Sequence, residues 1–163
     1  MPSPSPMESL RTDESLVDMV EEGVKTALLC TSDSLRAVAL EQVLGELDYY
    51  VVRAPKASTA IGKLRLNRYD IVILDDSFEG GDASENLLLQ HIQLLPMHVR
   101  RQFFMCLLSQ QLPSYERTLA FRLGVDMILN MRDMGKFKLI LVNSIKDHKA
   151  FYRVFRDELS KKG

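Results

Sequence analysis

The sequence predicts an α/β fold, a parallel sheet of five strands with helices on both faces. Three observations carry that prediction. Several runs are apolar from end to end and too short for helices, above all Ile71-Val72-Ile73-Leu74 and Phe103-Phe104-Met105-Cys106-Leu107-Leu108. Runs without polar alternation fit strands buried on both faces. Between them lie segments whose apolar residues recur every three or four positions, the mark of one-sided helices. The two patterns alternate along the chain, which implies a parallel sheet with right-handed crossovers.

In chain order, residues 1–11 begin with three prolines in the first six positions and are expected to be disordered. Residues 12–23 read either as a short helix or as a lead-in to the domain, which occupies residues 24–163. The helix reading takes Thr12 as N-cap, Asp13 and Glu14 in the first turn, Leu16, Val17 and Val20 as the apolar side, and Gly23 as the end. Thr26 to Cys30 is the first strand. The helix after it is assigned an apolar stripe of Leu35, Val38, Ala39, Gln42, Val43, Leu44 and Leu47. Tyr50 to Val52 is the second strand, and Ser58 or Thr59 caps a helix through Ile61, Leu64 and Leu66. The third strand, Ile71 to Leu74, ends in Asp75-Asp76, and Gly80-Gly81-Asp82 breaks the chain before a helix through Leu87, Leu88, Ile92 and Leu95. Phe103 to Leu108 is the fourth strand, ended by Ser109. Pro113 and Ser114 begin a helix that closes at Leu123-Gly124, where glycine suits a left-handed stop. Asp126 to Leu129 is the fifth strand, and a last helix runs from about Gly135 to Leu159.

Composition bounds the function. A length of 163 residues suits one domain, and a net charge of −1 gives no electrostatic reason to expect nucleic acid or an anionic membrane. No apolar run approaches the ~20 residues of a membrane span, and the N-terminus lacks the regions of a secretion signal. Cys30 and Cys106 sit in apolar runs without motif spacing, so they read as buried hydrophobes of a reduced, cytoplasmic protein. His91, His98 and His148 share no ligand spacing with each other or with the cysteines, so no zinc site is expected. No nucleophile elbow or Ser-His-Asp order is present, and the chain is not expected to be an enzyme.

In an open α/β sheet, functional groups collect at the carboxyl ends of the strands. Thr31, Ser32, Asp33, Asp75, Asp76, Ser109 and Asn130-Met131 are therefore candidates for one site. This pattern resembles the receiver domain of two-component response regulators, over roughly Thr26 to Asn143. The resemblance rests on Tyr69-Asp70-Ile71-Val72-Ile73-Leu74-Asp75, on Ser109 at the end of the fourth strand, and on Leu123-Gly124-Val125-Asp126. Receivers carry an Ala-Gly-Ala-Asp-like sequence at that last place. The resemblance implies a flavodoxin-like, receiver-type three-layer sandwich with strand order 2-1-3-4-5. It places Asp75 on the phosphoacceptor, and Ser109 and Ile128 on the two switch positions.

The departures from that family are as informative. The acidic pair that holds Mg²⁺ in receivers is here Thr31 and Ser32, and the Lys-Pro pair after the fifth strand is Met131-Arg132. The Met-Pro that follows the phosphoacceptor is Phe78-Glu79, and the aromatic switch residue is Ile128. Phosphoryl transfer depends on positioning and on neutralising charge at the transferring oxygens, and methionine supplies no charge. An acyl phosphate on Asp75 would add about −1.5 to −2 charges beside Asp76. The sequence thus points to a divergent receiver, a pseudo-receiver, serving as a protein-interaction module in bacterial signal transduction and needing no cofactor. It is not expected to be phosphorylated by the standard Mg-dependent route. One alternative is a phosphoacceptor receiver with an atypical metal site of Asp33, Asp75 and Asp76, although an Asp after a strand more often caps the next helix. Another is a small-molecule or flavin binder at the same edge. Ser109 also reads simply as a turn former, and Asp75 as a sheet-end carboxylate satisfied by nearby N–H groups.

The last helix extends past the usual receiver end by about two or three turns. Phe137, Ile140, Leu141 and Ile145 are placed on the sheet, and Phe151, Tyr152, Phe155 and Leu159 continue the stripe beyond it. That overhang reads as a docking face for a protein partner or a second copy, or as a surface covered by the N-terminal helix. Lys146, Lys149, Arg153, Arg156, Lys161 and Lys162 read as a solvated face without a nucleic-acid motif.

Overall fold

Alternation along the strands decides how the layers form. In a computed structural model, which describes Asp18, residues 20–80 and 83–162, with side chains as far as Ala150, five strands build one sheet. They are β1 (Lys25–Cys30), β2 (Tyr49–Arg53), β3 (Ile71–Asp75), β4 (Phe104–Ser109) and β5 (Met127–Asn130). All pairs are parallel and the order is β2-β1-β3-β4-β5. The helices are α1 (Ser34–Glu46), α2 (Ala57–Leu66), α3 (Leu87–Gln93), α4 (Met97–Arg100), α5 (Arg117–Leu123) and α6 (Phe137–Lys162). A 3₁₀ stretch, Met131–Lys136, leads into α6.

Side chains leave a strand on alternate faces, so each central strand feeds two cores. Leu28, Cys30, Val72, Leu74, Met105, Leu107 and Ile128 pack under α2, α3 and α5. Ala27, Leu29, Ile71, Ile73, Cys106, Leu108 and Leu129 pack under α1 and α6, against Ala37, Leu40, Leu44, Phe137, Ile140 and Leu141. This is the expected three-layer sandwich. The two free cysteines belong to different faces, and burial pushes both thiols above their ordinary range.

Several expectations need correction. The apolar stripe of α1 holds at Leu44, which is buried, and at Val43 and Leu47, which pack against the core; it fails at Leu35 and Val38, 84% and 57% exposed, whose place is taken by buried Ala37 and Leu40. Neither Ser58 nor Thr59 caps α2; the Glu79 carboxylate accepts from Ala57 N instead. The helix expected at Pro113-Ser114 begins at Arg117, because Tyr115 takes φ +65° and Ser114 Oγ is committed elsewhere, accepting from Asn130 N at 2.7 Å and donating to Asp133 at 2.6 Å. The stop at Gly124 is left-handed as expected, with φ +75°. The short α4 was not anticipated.

Of the proposed N-terminal helix, residues 12–17 and 19 lie outside the described residues, as do residues 1–11. Asp18 and Val20 are not helical, and a turn at Glu22-Gly23 delivers the chain to β1. Asp18 is firmly held. Its N–H donates to Asn67 Oδ1 at 2.8 Å, Lys63 Nζ lies 2.7 Å from its carboxylate, and the Tyr69 hydroxyl donates to the other oxygen. Burial first, then Asp18, pushes the Tyr69 hydroxyl well above its usual range. The helical backbone of α6 continues to Lys162, while the side chains of Phe151, Tyr152, Phe155 and Leu159 lie outside the described ones.

Candidate functional site

The register and the pleat together aim Asp75 at α1. Leu29 pairs with Ile73 and Cys30 with Leu74, so continuing β1 by one residue sets Thr31 beside Asp75. Asp75 shares the parity of Ile71 and Ile73, which face α1 and α6. A side chain in the first turn of α1 is then within reach, and that side chain is Arg36.

Asp75 is 1% exposed, and four donors close both of its oxygens. Oδ1 accepts from Ser77 N at 3.0 Å and from Ser77 Oγ at 2.7 Å. Oδ2 accepts from Thr31 Oγ1 at 3.1 Å and from Arg36 Nη1. A buried carboxylate without a counter-charge is strongly disfavoured, and here the guanidinium supplies it. Arg36 was not among the candidates read from sequence. A signal for it existed, since the 2-1-3-4-5 order with right-handed crossovers puts the first helix on the face to which Ile71, Ile73 and Asp75 point.

Asp33 does not join Asp75. It caps α1, accepting from Arg36 N at 3.0 Å, and that hydrogen bond holds its carboxyl below the ordinary range. Ser32 Oγ accepts from Glu79 N at 3.1 Å, and Glu79, with φ +62°, reaches on to α2. The loops after β1 and β3 are thereby tied together. Asp76 is buried, its N–H bonded to Leu108 O at 2.9 Å and its carbonyl accepting from Asn86 Nδ2 at 3.2 Å.

At the other end of the same edge, Ser109 is fully buried and its hydroxyl oxygen accepts from Gln111 N and Leu112 N at 3.1 and 3.0 Å. It makes no hydrogen bond to Asp75 among the described residues; it holds its own turn. Asn130 Nδ2 donates to Leu112 O at 2.8 Å and Asn130 Oδ1 accepts from Arg132 N at 3.1 Å. With the Asn130–Ser114–Asp133 chain, these bonds latch the loop after β4 to the end of β5. Ile128 is buried in the core under α5, and Met131 opens the 3₁₀ turn and packs against the α1–α6 core. The structure thus gathers Thr31, Asp75 and the unforeseen Arg36 and Ser77 into one cluster, and Ser109 and Asn130 into another.

With Arg36 bonded to Asp75, these residues do not fit a divalent ion. Mg²⁺ demands near-octahedral oxygen ligands with one or two carboxylates among them. Here Thr31 and Ser32 offer neutral hydroxyls, Asp33 is engaged as a cap with the Arg36 guanidinium 3.8 Å from its carboxylate, and both Asp75 oxygens are held by donors, one of them cationic. The three-carboxylate metal site of Asp33, Asp75 and Asp76 is not assembled. Beside the cluster, a cavity of about 450 Å³ is lined by Thr31, Ser32, Ser34, Arg53 and Pro55, but Arg53 is already paired with Glu41. No described helix is long and apolar enough to cross a membrane.

No family model matches the sequence, and no curated protein is similar to it. Solved structures are similar in fold. A protein described as a response regulator from Chloroflexus aurantiacus has a TM-score of 0.60 at 22% identity, covering 75% of this chain and 98% of that one. The non-phosphorylated HemR receiver domain from Leptospira biflexa has a TM-score of 0.58 at 24% identity, over 74% of this chain and 94% of that one. The receiver domain of a sensor histidine kinase from Pseudomonas aeruginosa, which has a magnesium ion coordinated in its active-site cleft, scores 0.58 at 19% identity over 75% and 98%. The chain has the flavodoxin-like fold of response-regulator receiver domains, built around an edge site of its own composition.

Proposed function

We propose that this chain is a pseudo-receiver, a signalling domain of the two-component type that works by binding proteins rather than by accepting phosphate through a metal-dependent reaction. The observation that carries this reading is the closure of Asp75. Both carboxylate oxygens already accept two hydrogen bonds each, one from a guanidinium. An attacking carboxylate needs a free lone pair aimed at phosphorus, and a developing phosphoryl charge needs a cation to meet it. The Arg36 charge is spent on Asp75, and Met131 stands where the family's lysine stands.

Output through the C-terminal half fits the exposed apolar side chains there. Phe121 on α5, Leu139 on α6 and Tyr115 before α5 are 89%, 64% and 63% exposed. Tyr115 and Leu139 line one groove, and Phe121 lines an adjoining one that shares Arg117, Ala120 and Asp126 with it. Single exposed apolar residues are ordinary, but large ones gathered on neighbouring grooves suit a contact surface. The occupant is a protein partner or a second copy of the chain.

The test is an amide NMR titration of the full chain with Mg²⁺ and beryllium fluoride, a phosphoryl mimic. The expected result is unmoved resonances at Asp75, Ser109 and Ile128 at millimolar Mg²⁺. Saturable shifts at those residues, abolished by Asp75→Asn, would establish the phosphoacceptor reading instead. In parallel, Phe121→Ser/Leu139→Ser should weaken capture of the binding partner, or self-association in sedimentation, without altering the thermal melt.

A further inference from the structure

We infer that Arg36 is a built-in cation that stands in for a metal ion at the edge of the sheet, and that this one side chain is what shuts a latent divalent-cation site around Asp75. The inference rests on the pseudo-receiver reading and adds how the site came to be closed. The relative from Pseudomonas aeruginosa holds magnesium in its cleft on the same fold. Here the only cation bonded to the Asp75 carboxylate among the described residues is Arg36.

The geometry explains why Arg36 can hold that place. The Asp33 cap accepts from Arg36 N, fixing the first turn of α1, while the guanidinium lies 3.8 Å from the Asp33 carboxylate and bonds Asp75 on its other side. One side chain is thus positioned at both ends. Guanidinium stays charged at all working pH values and suits planar carboxylate pairing. An ion bound to Asp75 Oδ2 would meet that fixed positive charge at close range in a poorly solvated place, where repulsion is weakly screened.

The rest of the cluster remains usable by an ion. Without Arg36, Asp75 would keep the Ser77 bonds on Oδ1 and offer Oδ2, with the Thr31 hydroxyl at 3.1 Å beside it. One carboxylate, one hydroxyl and water meet the modest protein contribution that Mg²⁺ usually takes. Arg36 is 18% exposed at its side chain while that of Asp75 is 2% exposed, so removing the arginine opens the carboxylate to solvent. The Asp33 cap survives the change, because it bonds the backbone N–H of residue 36.

The experiment titrates Mg²⁺, and Mn²⁺ as a paramagnetic probe, into the full-length wild type, Arg36→Ala and Arg36→Gln, read by amide NMR. The glutamine variant keeps an N–H donor near Asp75 and serves if the alanine variant does not fold. The expected result is a wild type without saturable shifts. Both variants should gain saturable, millimolar binding centred on Thr31, Asp75 and Ser77, at least about tenfold tighter than wild type. Mg²⁺ should also raise the melting temperature of the variants alone, and adding Asp75→Asn should erase both effects. Variants as silent as the wild type would overturn the inference and leave the pseudo-receiver reading standing. Gained shifts that persist with Asp75→Asn would overturn it too, by placing the metal elsewhere. Wild-type protein that binds Mg²⁺ and beryllium fluoride at Asp75 would overturn both.

Discussion

Two buried carboxylates sit at opposite edges of the same sheet, and among the described residues each is met by one cation. At the amino edge Asp18 meets Lys63, with side chains 6% and 0% exposed; at the carboxyl edge Asp75 meets Arg36, with side chains 2% and 18% exposed. The first pair is sealed. Its lysine projects from α2, its aspartate lies in the lead-in, and Tyr69 and Asn67 complete the polar contacts. The second pair has a cation that still touches solvent, and hydroxyls around the anion that can serve other partners. The same Coulomb interaction therefore does two jobs: cohesion where both charges are dry, and control of a site where one is wet.

The largest effect should come from breaking the sealed pair. Asp18→Ala leaves an ammonium buried without its partner, a loss of about 3–5 kcal/mol in urea unfolding. Replacing both members, Asp18→Leu with Lys63→Met, should restore much of that, since apolar pairs of similar volume often match a buried ion pair. An Asp18→Ala protein as stable as wild type would show that the lead-in is not integral to the domain.

Asp75→Ala should cost less, about 1–3 kcal/mol, because the freed Arg36 can turn to water and only hydroxyl and backbone donors lose a partner. Equal losses at the two edges would erase the contrast drawn between them. Asn130→Ala, which unhooks the loop after β4 from β5, should cost about 1–2 kcal/mol and speed amide exchange at Gln111 and Leu112 selectively. Uniform exchange across the sheet would mean that the latch does not exist as a local unit.

Two histidines should make stability depend on pH. Burial holds His148 below its ordinary pKa, with Asp126 pulling it up and Arg100 pushing it further down; its ring stacks edge-on against Phe104 at 5.3 Å. Burial and Arg65 lower His91 as well, and among the described residues its buried Nε2 has no hydrogen-bond partner. Both favour the neutral ring when folded, so the unfolded chain takes up protons first. Stability should be level above the ordinary histidine pKa of about 6.5 and fall as pH drops through it. His91→Leu should flatten part of that fall in unfolding curves taken on either side of neutrality. The smallest effect belongs to Leu35→Ser and Val38→Ser, within about 0.5 kcal/mol because both side chains lie in water, whereas Leu40→Ala should cost about 2–5 kcal/mol.

The difference between Leu35 and Leu40 arises outside the helix. Helix α1 carries apolar residues around most of its circumference, Leu35, Ala37, Val38, Ala39, Leu40, Val43 and Leu44, so periodicity alone could not choose its buried side. The sheet chose it. Pro113-Ser114 has the composition of a helix start, yet the Ser114 hydroxyl is spent on Asn130 and Asp133, and the helix waits until Arg117. In both cases a contact distant in sequence outweighed a local preference.

By itself the sequence determined the layers. Fully apolar runs of strand length have no solvent-facing side, and their alternation with helices admits one kind of sheet, down to the place of Asp75 at its edge. Its resemblance to receivers drew the eye to Thr31, Ser32, Ile128 and Met131. Tertiary structure alone decided which charges meet. Arg36 reaches Asp75 across 39 positions and Asp18 reaches Lys63 across 45. A charge that must find a partner in a dry interior is satisfied by geometry, and residue type and spacing do not carry that geometry.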